Sequence, residues 1–299
     1  MLASIVVRAA ATVLLAVSAA AAEDAEDDAP DFPTTVFEDG ALSAEVSAGD
    51  LTARITIEKL PEEDPALDFP VLHVLVRGAE MLRITGAGAD LDFPATEASI
   101  AEMDPANDTP EVYFTSYSGG AHCCSRVFVA TKVGEAWKAV EIGEFDSDGD
   151  YLEDADGDGR AEIVVVDNRF LYRFDCYSCS AAPLTIVGID KGAAVDLSAD
   201  PRFRETHRRW LEELEDGTDP VERWKSPGFL AGWVATRVRL GEGAAAWREL
   251  LENWDLTSDR GAPACLTGAE MDRCPRKSRK VLKFPDRLKI FLDANGYAF

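Results

Sequence analysis

Short runs of β-branched and aromatic residues recur between Leu42 and Leu197, and Gly, Pro, Asp or Asn bounds each of them. Residues 51–59, LTARITIEK, alternate apolar and polar side chains, which is the pattern of a strand with one buried face. Similar runs predict five further strands, at residues 71–78, 111–117, 126–133, 162–167 and 183–190. No long 3.6-residue period occurs in this region, so we predict a β domain.

After Leu197 the apolar spacing becomes helical. Asp200 is a candidate N-cap with Pro201 at the first helical position, and another helix is expected to begin at Pro285 and end at Asn295-Gly296. A third helix is expected around the sequence AAAWRELLENWD. The residues predicted to face the helical core are Phe203, His207, Trp210, Leu211, Leu214, Trp247, Leu250, Leu251, Trp254, Leu288, Phe291 and Leu292.

The β region contains a weak internal repeat. Residues 102–117, EMDPANDTPEVYFTSY, align with residues 152–168, LEDADGDGRAEIVVVDN, when one residue of the acidic loop is dropped. Glu111 then matches Glu162, and in both copies the strand that follows leads to a pair of cysteines. A period near 50 is typical of propeller blades, but two copies are too few for a closed propeller. We expect two blade-like sheets stacked and joined by the cysteines, or a sandwich of similar size.

These patterns predict an α+β protein. An N-terminal β domain of blade-like antiparallel sheets, built from two degenerate repeats, is followed by a small helical domain. The predicted segments are a signal peptide at residues 1–22, an acidic disordered leader at 23–40, the β domain at 41–198 and the helical domain at 199–299.

The first residues predict export. Residues 1–22 contain one charge, Arg8, then fourteen uncharged residues that end in an Ala-x-Ala sequence, as in a secretory signal peptide. The uncharged run is short for a spanning helix, which needs about 20 residues. We therefore expect a periplasmic or secreted protein with no transmembrane anchor after cleavage, a retained anchor being the alternative.

The charge of the chain restricts its partners. The formal net charge is −25 at pH 7, and loss of Arg8 with the signal peptide would make it −26. Nucleic-acid affinity comes mainly from cations that neutralise phosphate, so we expect no nucleic-acid partner. Divalent cations or basic partners suit this charge better.

The six cysteines can be interpreted in two ways. They are Cys123, Cys124, Cys176, Cys179, Cys265 and Cys274. An even number in an exported protein favours disulfides, with Cys265 paired locally to Cys274 and the other four joining the two repeats. The alternative is a zinc or copper site built from the sequences HCC at 122–124 and CYSC at 176–179.

Six aspartates lie within the thirteen residues 146–158. The segment DADGDGRAE offers oxygen ligands at positions 1, 3, 5, 7 and 9, which suits a hard calcium ion that takes six to eight oxygens. Position 12, where an EF-hand has glutamate, is Val165 inside an apolar strand. We therefore expect a calcium loop that leads into a β-strand, the alternative being a solvated acidic turn.

This segment resembles the D-x-D-x-D-G-x-x-[DE] loop of FG-GAP and VCBS-type repeats, as in integrin α-subunit propellers. The resemblance covers about residues 100–195. It implies that the side chains of Asp154, Asp156, Asp158 and Glu162 and the backbone carbonyl of Arg160 bind calcium. The first repeat lacks this spacing, so no ligands are assigned to it.

A second register is also present upstream. Asp146, Asp148, Asp150 and Asp154 fit positions 1, 3, 5 and 9, but Tyr151 occupies the position where glycine is expected. This register is a candidate for a second ion.

Catalysis has little support in the sequence. The chain has three histidines and neither an HExxH nor a GxSxG motif, so no catalytic residue is assigned. Two functions remain as hypotheses: a non-enzymatic exported module, stabilised by calcium, that binds a protein or a glycan, and an exported hydrolase with a structural calcium site.

Overall fold

The computed structural model describes residues 32–38, 40–60, 67–88, 96–120, 123–146, 149–269 and 271–299. The predicted signal peptide at residues 1–22 lies outside them, as does most of the predicted leader at 23–40. The end of that leader is ordered, which corrects the prediction: residues 34–36 form a strand, and Phe37 is buried in the core. Burial of Phe37 and backbone pairing of the strand hold this segment to the β domain.

The described chain contains three larger antiparallel sheets. Their strands are β1 (Thr34–Val36), β2 (Ser43–Ala48), β3 (Leu51–Glu58), β4 (Phe69–Val76), β5 (Ala79–Thr85), β6 (Thr96–Ala101), β7 (Glu111–Tyr117), β8 (Cys123–Val133), β9 (Ala136–Asp146), β10 (Leu152–Glu153), β11 (Glu162–Val166), β12 (Leu184–Asp190) and β13 (Ala193–Asp196). The first sheet has the order β2-β3-β4-β5, the middle sheet β1-β6-β7-β8-β9 and the third sheet β10-β11-β12-β13. All six predicted strands are present, but there are three stacked sheets where two were expected.

Side chains of the middle sheet alternate between its two faces, as the period of a strand requires. Along β7, Val112 and Phe114 lie in the core shared with the first sheet, where Ile55 and Leu72 are buried. Tyr113, between them, lies in the core shared with the third sheet and is hydrogen-bonded to a loop carbonyl. The middle sheet is therefore buried on both faces.

Four helices follow in the described chain: α1 (Arg204–Asp216), α2 (Pro227–Arg239), α3 (Gly243–Asn253) and α4 (Phe284–Ala294). A small hairpin of β14 (Ala262–Cys265) and β15 (Arg279–Leu282) lies between α3 and α4. The helix that sequence analysis missed is α2. Its residues are apolar around most of the helix, with Phe229, Leu230 and Trp233 at most 5% exposed, so the amphipathic period is lost.

The other helices occur where they were predicted. Asp200 accepts the N–H of Arg202 and caps a short 3-10 turn that precedes α1, and α4 ends before Gly296, whose φ is +85°. Leu250 is buried as expected, whereas Leu251 is 44% exposed and does not belong to the core. No helix of the described chain combines the length and the apolar character needed to cross a membrane.

All six cysteines lie in disulfides, but only one predicted pair is correct. Cys265 is bonded to Cys274, as expected. The other bonds join Cys123 to Cys124 and Cys176 to Cys179, so the two repeats are not linked covalently. A 3-10 turn brings the Cα atoms of Cys176 and Cys179 to within 5.0 Å of each other. These two cysteines can therefore form a disulfide locally, without a partner from the other repeat. Packing and hydrogen bonds join the sheets; for example, Asp104 of the middle sheet's β6–β7 connection accepts the N–H of Gly192 in the third sheet at 2.6 Å.

Candidate metal centre

The acidic loop connects β10 to β11 and is wound by its own backbone. Gly157 and Gly159 have φ values of +75° and +88°, in the left-handed region that glycine adopts without strain. The N–H of Asp158 donates to carboxylate oxygens of Asp154 and Asp156 at 3.0 and 3.1 Å. The N–H of Gly159 donates to the second oxygen of Asp154 at 2.9 Å. The loop therefore curls around its first two aspartates.

Three of the five predicted ligand residues are gathered at one point. Asp154, Asp156 and Glu162 each place a carboxylate oxygen within 4.8 Å of the others. Asp158 is not in this group: its carboxylate accepts the N–H of Arg160 at 2.9 Å and faces that residue's guanidinium at 3.5 Å. The structure thus brings together positions 1, 3 and 9 of the loop, while positions 5 and 7 bond to each other.

Glu162 is the buried member of the group. It is 5% exposed and begins β11, directly behind the loop. Burial raises the pKa of Glu162 to about 7; the N–H of Ala155, 3.1 Å away, opposes this rise, and the negative charges of Asp156, Asp158 and Asp154 add to it. A cation among these carboxylates would remove the electrostatic cost of the buried negative charge.

The first repeat provides an internal comparison. Glu111 also begins a strand and is fully buried, and like Glu162 it accepts the N–H of the residue seven positions earlier, here Asp104 at 3.0 Å. Three further donors surround it: the N–H of Met103 at 2.9 Å, Asn107 Nδ2 at 3.0 Å and Thr131 Oγ1 at 2.8 Å. Hydrogen bonds therefore satisfy both oxygens of Glu111.

The corresponding carboxylate of Glu162 is less well satisfied. Among the described residues, Ala155 is its one hydrogen-bond donor. The two repeats thus share a strand-initiating glutamate and differ in how its charge is compensated. That difference fits a cation at the second loop and not at the first.

The loop also touches the helical domain. Arg202, which precedes α1, donates to Asp156 Oδ2 at 2.8 Å, and Thr206 Oγ1 donates to the carbonyl of Ala155 at 2.7 Å. Sequence analysis did not identify Arg202 as a neighbour of the loop, because the contact spans 46 residues and no local pattern reveals it. The Asp156 side chain, which is 5% exposed, therefore contacts both its own loop and Arg202 just before α1.

The upstream acids do not form a second centre in the described chain. Asp146 ends β9, is 8% exposed and accepts a hydrogen bond from the hydroxyl of Tyr177. Asp150 belongs to neither of the ligand groups found among the described residues, and Asp148 lies outside them. The other group, Asp175 with Cys176 and Cys179, contains two disulfide-bonded sulfurs.

Two of the cavities in the described chain are small. One of about 220 Å³ is lined by Arg173, Arg287 and apolar side chains beside α4. One of about 230 Å³ lies near Asp200, Arg204 and Arg239. Neither lining contains a carboxylate pair of the kind that hydrolyses glycosides.

Comparison with known proteins identifies relatives. Residues 204–296 match the family described as the sll0997 C-terminal domain. The chain is 34% identical to the probable thylakoid lumen protein sll0997 of Synechocystis sp. over 260 aligned residues. The alignment covers 86% of this chain and 76% of that protein. It is also 37% identical over 203 residues to the uncharacterized protein y4bJ of Sinorhizobium fredii, covering 67% of this chain and 32% of that protein. No solved structure matches.

These relatives bear on location and family. A lumenal relative agrees with the export predicted from the sequence, and the protein is accordingly periplasmic or secreted. The matched family and relatives are not described as FG-GAP or VCBS proteins. The calcium loop therefore rests on the residues of this chain.

Proposed function

The chain belongs to the family of the probable thylakoid lumen protein sll0997, and on that premise we propose that it is an exported, non-enzymatic interaction module stabilised by calcium. The ion is held at residues 154–162, and the ligand of the module is a protein or a glycan. The site has a structural role: it fixes β11 in register and joins the third sheet to the start of α1.

The contrast between the two strand-initiating glutamates carries this proposal. Glu111 is compensated by four hydrogen-bond donors, whereas Glu162 has one donor and three aspartates nearby. A divalent cation supplies the missing positive charge. The oxygen-only donor set, with carboxylates from Asp154 and Asp156 beside Glu162, suits a hard cation.

Calcium fits this loop better than magnesium does. Calcium accepts six to eight oxygens in a flexible arrangement, while magnesium requires a nearly ideal octahedron of shorter bonds. Residues 154–162 form a surface loop in which Asp158 is about one-third exposed and can turn toward an ion. Water would complete the coordination.

Small cavities favour a surface ligand. Pockets that bind small molecules usually have volumes of about 300–1,000 Å³. The two cavities described above are smaller, at about 220 and 230 Å³. A macromolecular ligand that binds an outer face of the sheets or helices agrees with these dimensions.

Titration calorimetry on the chelator-treated protein tests the calcium site. We expect one calcium ion per chain and weaker binding of magnesium. Asp156→Ala should abolish the calcium signal, because it removes a carboxylate of the central group. Absence of heat and of any binding at millimolar calcium would contradict the proposal.

A further inference from the structure

The Cys176–Cys179 disulfide differs from Cys265–Cys274 in its accessibility. Both Cys176 and Cys179 are exposed, and they lie in the long connection between β11 and β12. Cys265 and Cys274 are 5% and 3% exposed. A thiolate can reach only an accessible disulfide, and exposed disulfides are typically the labile or catalytic ones. Of the three disulfides, Cys176–Cys179 is therefore the exposed one, Cys265–Cys274 is buried, and Cys123–Cys124 is partly buried.

Polar groups surround the exposed sulfurs. The hydroxyl of Ser178 lies 3.5 Å from Cys176 Sγ, and it must be the donor because a disulfide sulfur carries no proton. The carboxylate of Asp175 lies within 4.8 Å of both sulfurs and accepts the N–H of Cys176 at 2.9 Å. Ser178 can thus stabilise a thiolate that departs at Cys176. Asp175 repels a thiolate that approaches the disulfide.

Aromatic side chains adjoin the disulfide. Tyr172 is 59% exposed, has a φ of +57° and contacts the ring of Tyr177 at a centroid distance of 5.4 Å. Non-glycine residues with positive φ are uncommon and cluster at functional sites. Exposed tyrosine is also enriched where proteins meet partners. This surface suits a docking polypeptide.

We propose that Cys176–Cys179 is a redox-active disulfide that accepts two electrons from a dithiol of an exported partner protein. A partner thiolate attacks Cys179 Sγ, the bond between the sulfurs breaks, and Cys176 leaves as a thiolate that receives the hydrogen bond of Ser178 and then a proton. The second partner thiol, after losing its proton, attacks the partner sulfur of the mixed disulfide and releases Cys179. The partner ends as a disulfide, and both cysteines end as thiols.

The neighbours predict opposite effects on the rate of attack. Ser178→Ala removes the hydrogen bond to the departing thiolate and should slow attack about fivefold. Asp175→Asn keeps an oxygen for the Cys176 N–H but removes the negative charge, so attack by an anionic thiolate should become several-fold faster. Both variants retain the disulfide, which makes them informative even if cysteine variants fold poorly.

Reduced glutathione is the first probe. The folded full chain is incubated with millimolar glutathione, alkylated and analysed by peptide mass mapping, while circular dichroism monitors folding. We expect Cys176 and Cys179 to be labelled at least about tenfold faster than Cys265 and Cys274. Equal resistance of both bonds, labelling only as the protein unfolds, or equal rates in wild type, Ser178→Ala and Asp175→Asn would overturn the proposal.

A synthetic peptide with two cysteines then tests the electron transfer. Under anaerobic conditions the wild-type protein should oxidise one peptide per chain through this bond. The variant in which Cys176 and Cys179 are both replaced by serine should lose this activity, and the variant with serine at Cys123 and Cys124 should keep it. The reverse pattern, or no oxidation by the wild type, would assign the exchange elsewhere and contradict the proposal.

Discussion

Asp156 occupies a central place among the loop carboxylates. Its side chain is 5% exposed, it accepts the N–H of Asp158 and the guanidinium of Arg202, and it belongs to the group with Asp154 and Glu162. We therefore expect a cation bound to this group to contact Asp156. The acids upstream, such as Asp150, are close in sequence but lie outside the group.

Asp156→Ala and Asp150→Ala therefore form a matched pair. Each removes one negative charge from the same acidic run. We expect Asp156→Ala to abolish the stabilisation by calcium and Asp150→Ala to leave it within experimental error of wild type, as measured by thermal melting with and without calcium. Loss of the calcium response in Asp150→Ala alone would instead favour the upstream register.

His207 predicts a pH dependence of stability. Its Nε2 lies 2.9 Å from the carbonyl of Ser198 and must carry the proton, which leaves the buried Nδ1 as an acceptor with no hydrogen-bond partner among the described residues. Burial lowers the pKa of His207 below its ordinary 6.5, Arg239 lowers it further, and the bond to Ser198 opposes the shift. The folded state thus favours the neutral ring.

The sign of the effect follows from the protons bound in each state. Between the lowered pKa of the folded state and 6.5, the unfolded chain binds a proton at this histidine while the folded chain does not, so the free energy of unfolding falls as the pH falls through this range. In His207→Gln, whose amide can still donate to Ser198, this part of the decline should disappear. Denaturant titrations of both proteins at pH 5 and pH 8 measure the difference, and parallel declines would show that His207 is not responsible.

The spacing of acids and glycines in residues 154–162 was enough to predict the candidate loop. It could not predict that Asp158 would bond to Arg160 and stay outside the central group, because that depends on a choice of rotamer. Nor could it predict the contact of Arg202, since sequence periodicity describes neighbours along one element only.

At the scale of elements, alternation predicted β3, whose apolar side chains face a core. The middle sheet is buried on both faces, and its strands β7 and β8 were recognised from their β-branched and aromatic residues and the turn residues around them. The sequence pattern failed to reveal α2 because neighbouring elements bury it on most sides, and its apolar residues then follow no helical period.

The different surroundings of Glu111 and Glu162 predict different costs in stability when each is replaced. Glu111→Ala leaves buried donors, including the N–H groups of Met103 and Asp104, without a partner, and it should destabilise the protein by about 3 kcal/mol with or without calcium. Glu162→Ala should cost less than about 1 kcal/mol in chelator, because it also removes a buried charge near three aspartates.

Calcium should separate these two variants. Glu111→Ala should keep the full gain in stability on adding calcium, since no calcium ligand is assigned to its loop. Glu162→Ala should lose most of that gain. Denaturant titrations in chelator and in calcium give all four values, and equal costs for the two variants in chelator would contradict the distinction between the loops.

At the scale of the whole molecule, the sequence predicted the α+β class and the division into sheets and helices. It did not predict that cysteines would pair within each connection, because spacing restricts disulfides without fixing their partners. It also placed the start of the β domain too late, since Phe37 lies in an acidic, polar segment and its burial depends on distant strands.

The loop lies where the third sheet meets α1, so an ion there would stabilise the molecule as a whole. Asp156 contacts Arg202, Ala155 contacts Thr206, and β11 follows directly after the loop. Without an ion, the carboxylates of the group repel one another at less than 5 Å, and that repulsion weakens this junction.

Thermal melting of the wild-type protein in chelator, in calcium and in magnesium tests the central claim most directly. A ligand at a hundredfold excess over its dissociation constant stabilises the folded state by about 2.7 kcal/mol, which corresponds to several degrees. We predict that the melting temperature falls in chelator, that millimolar calcium restores it, and that magnesium restores it less. Identical melting in chelator and in millimolar calcium would contradict the claim and leave residues 154–162 as a solvated acidic turn.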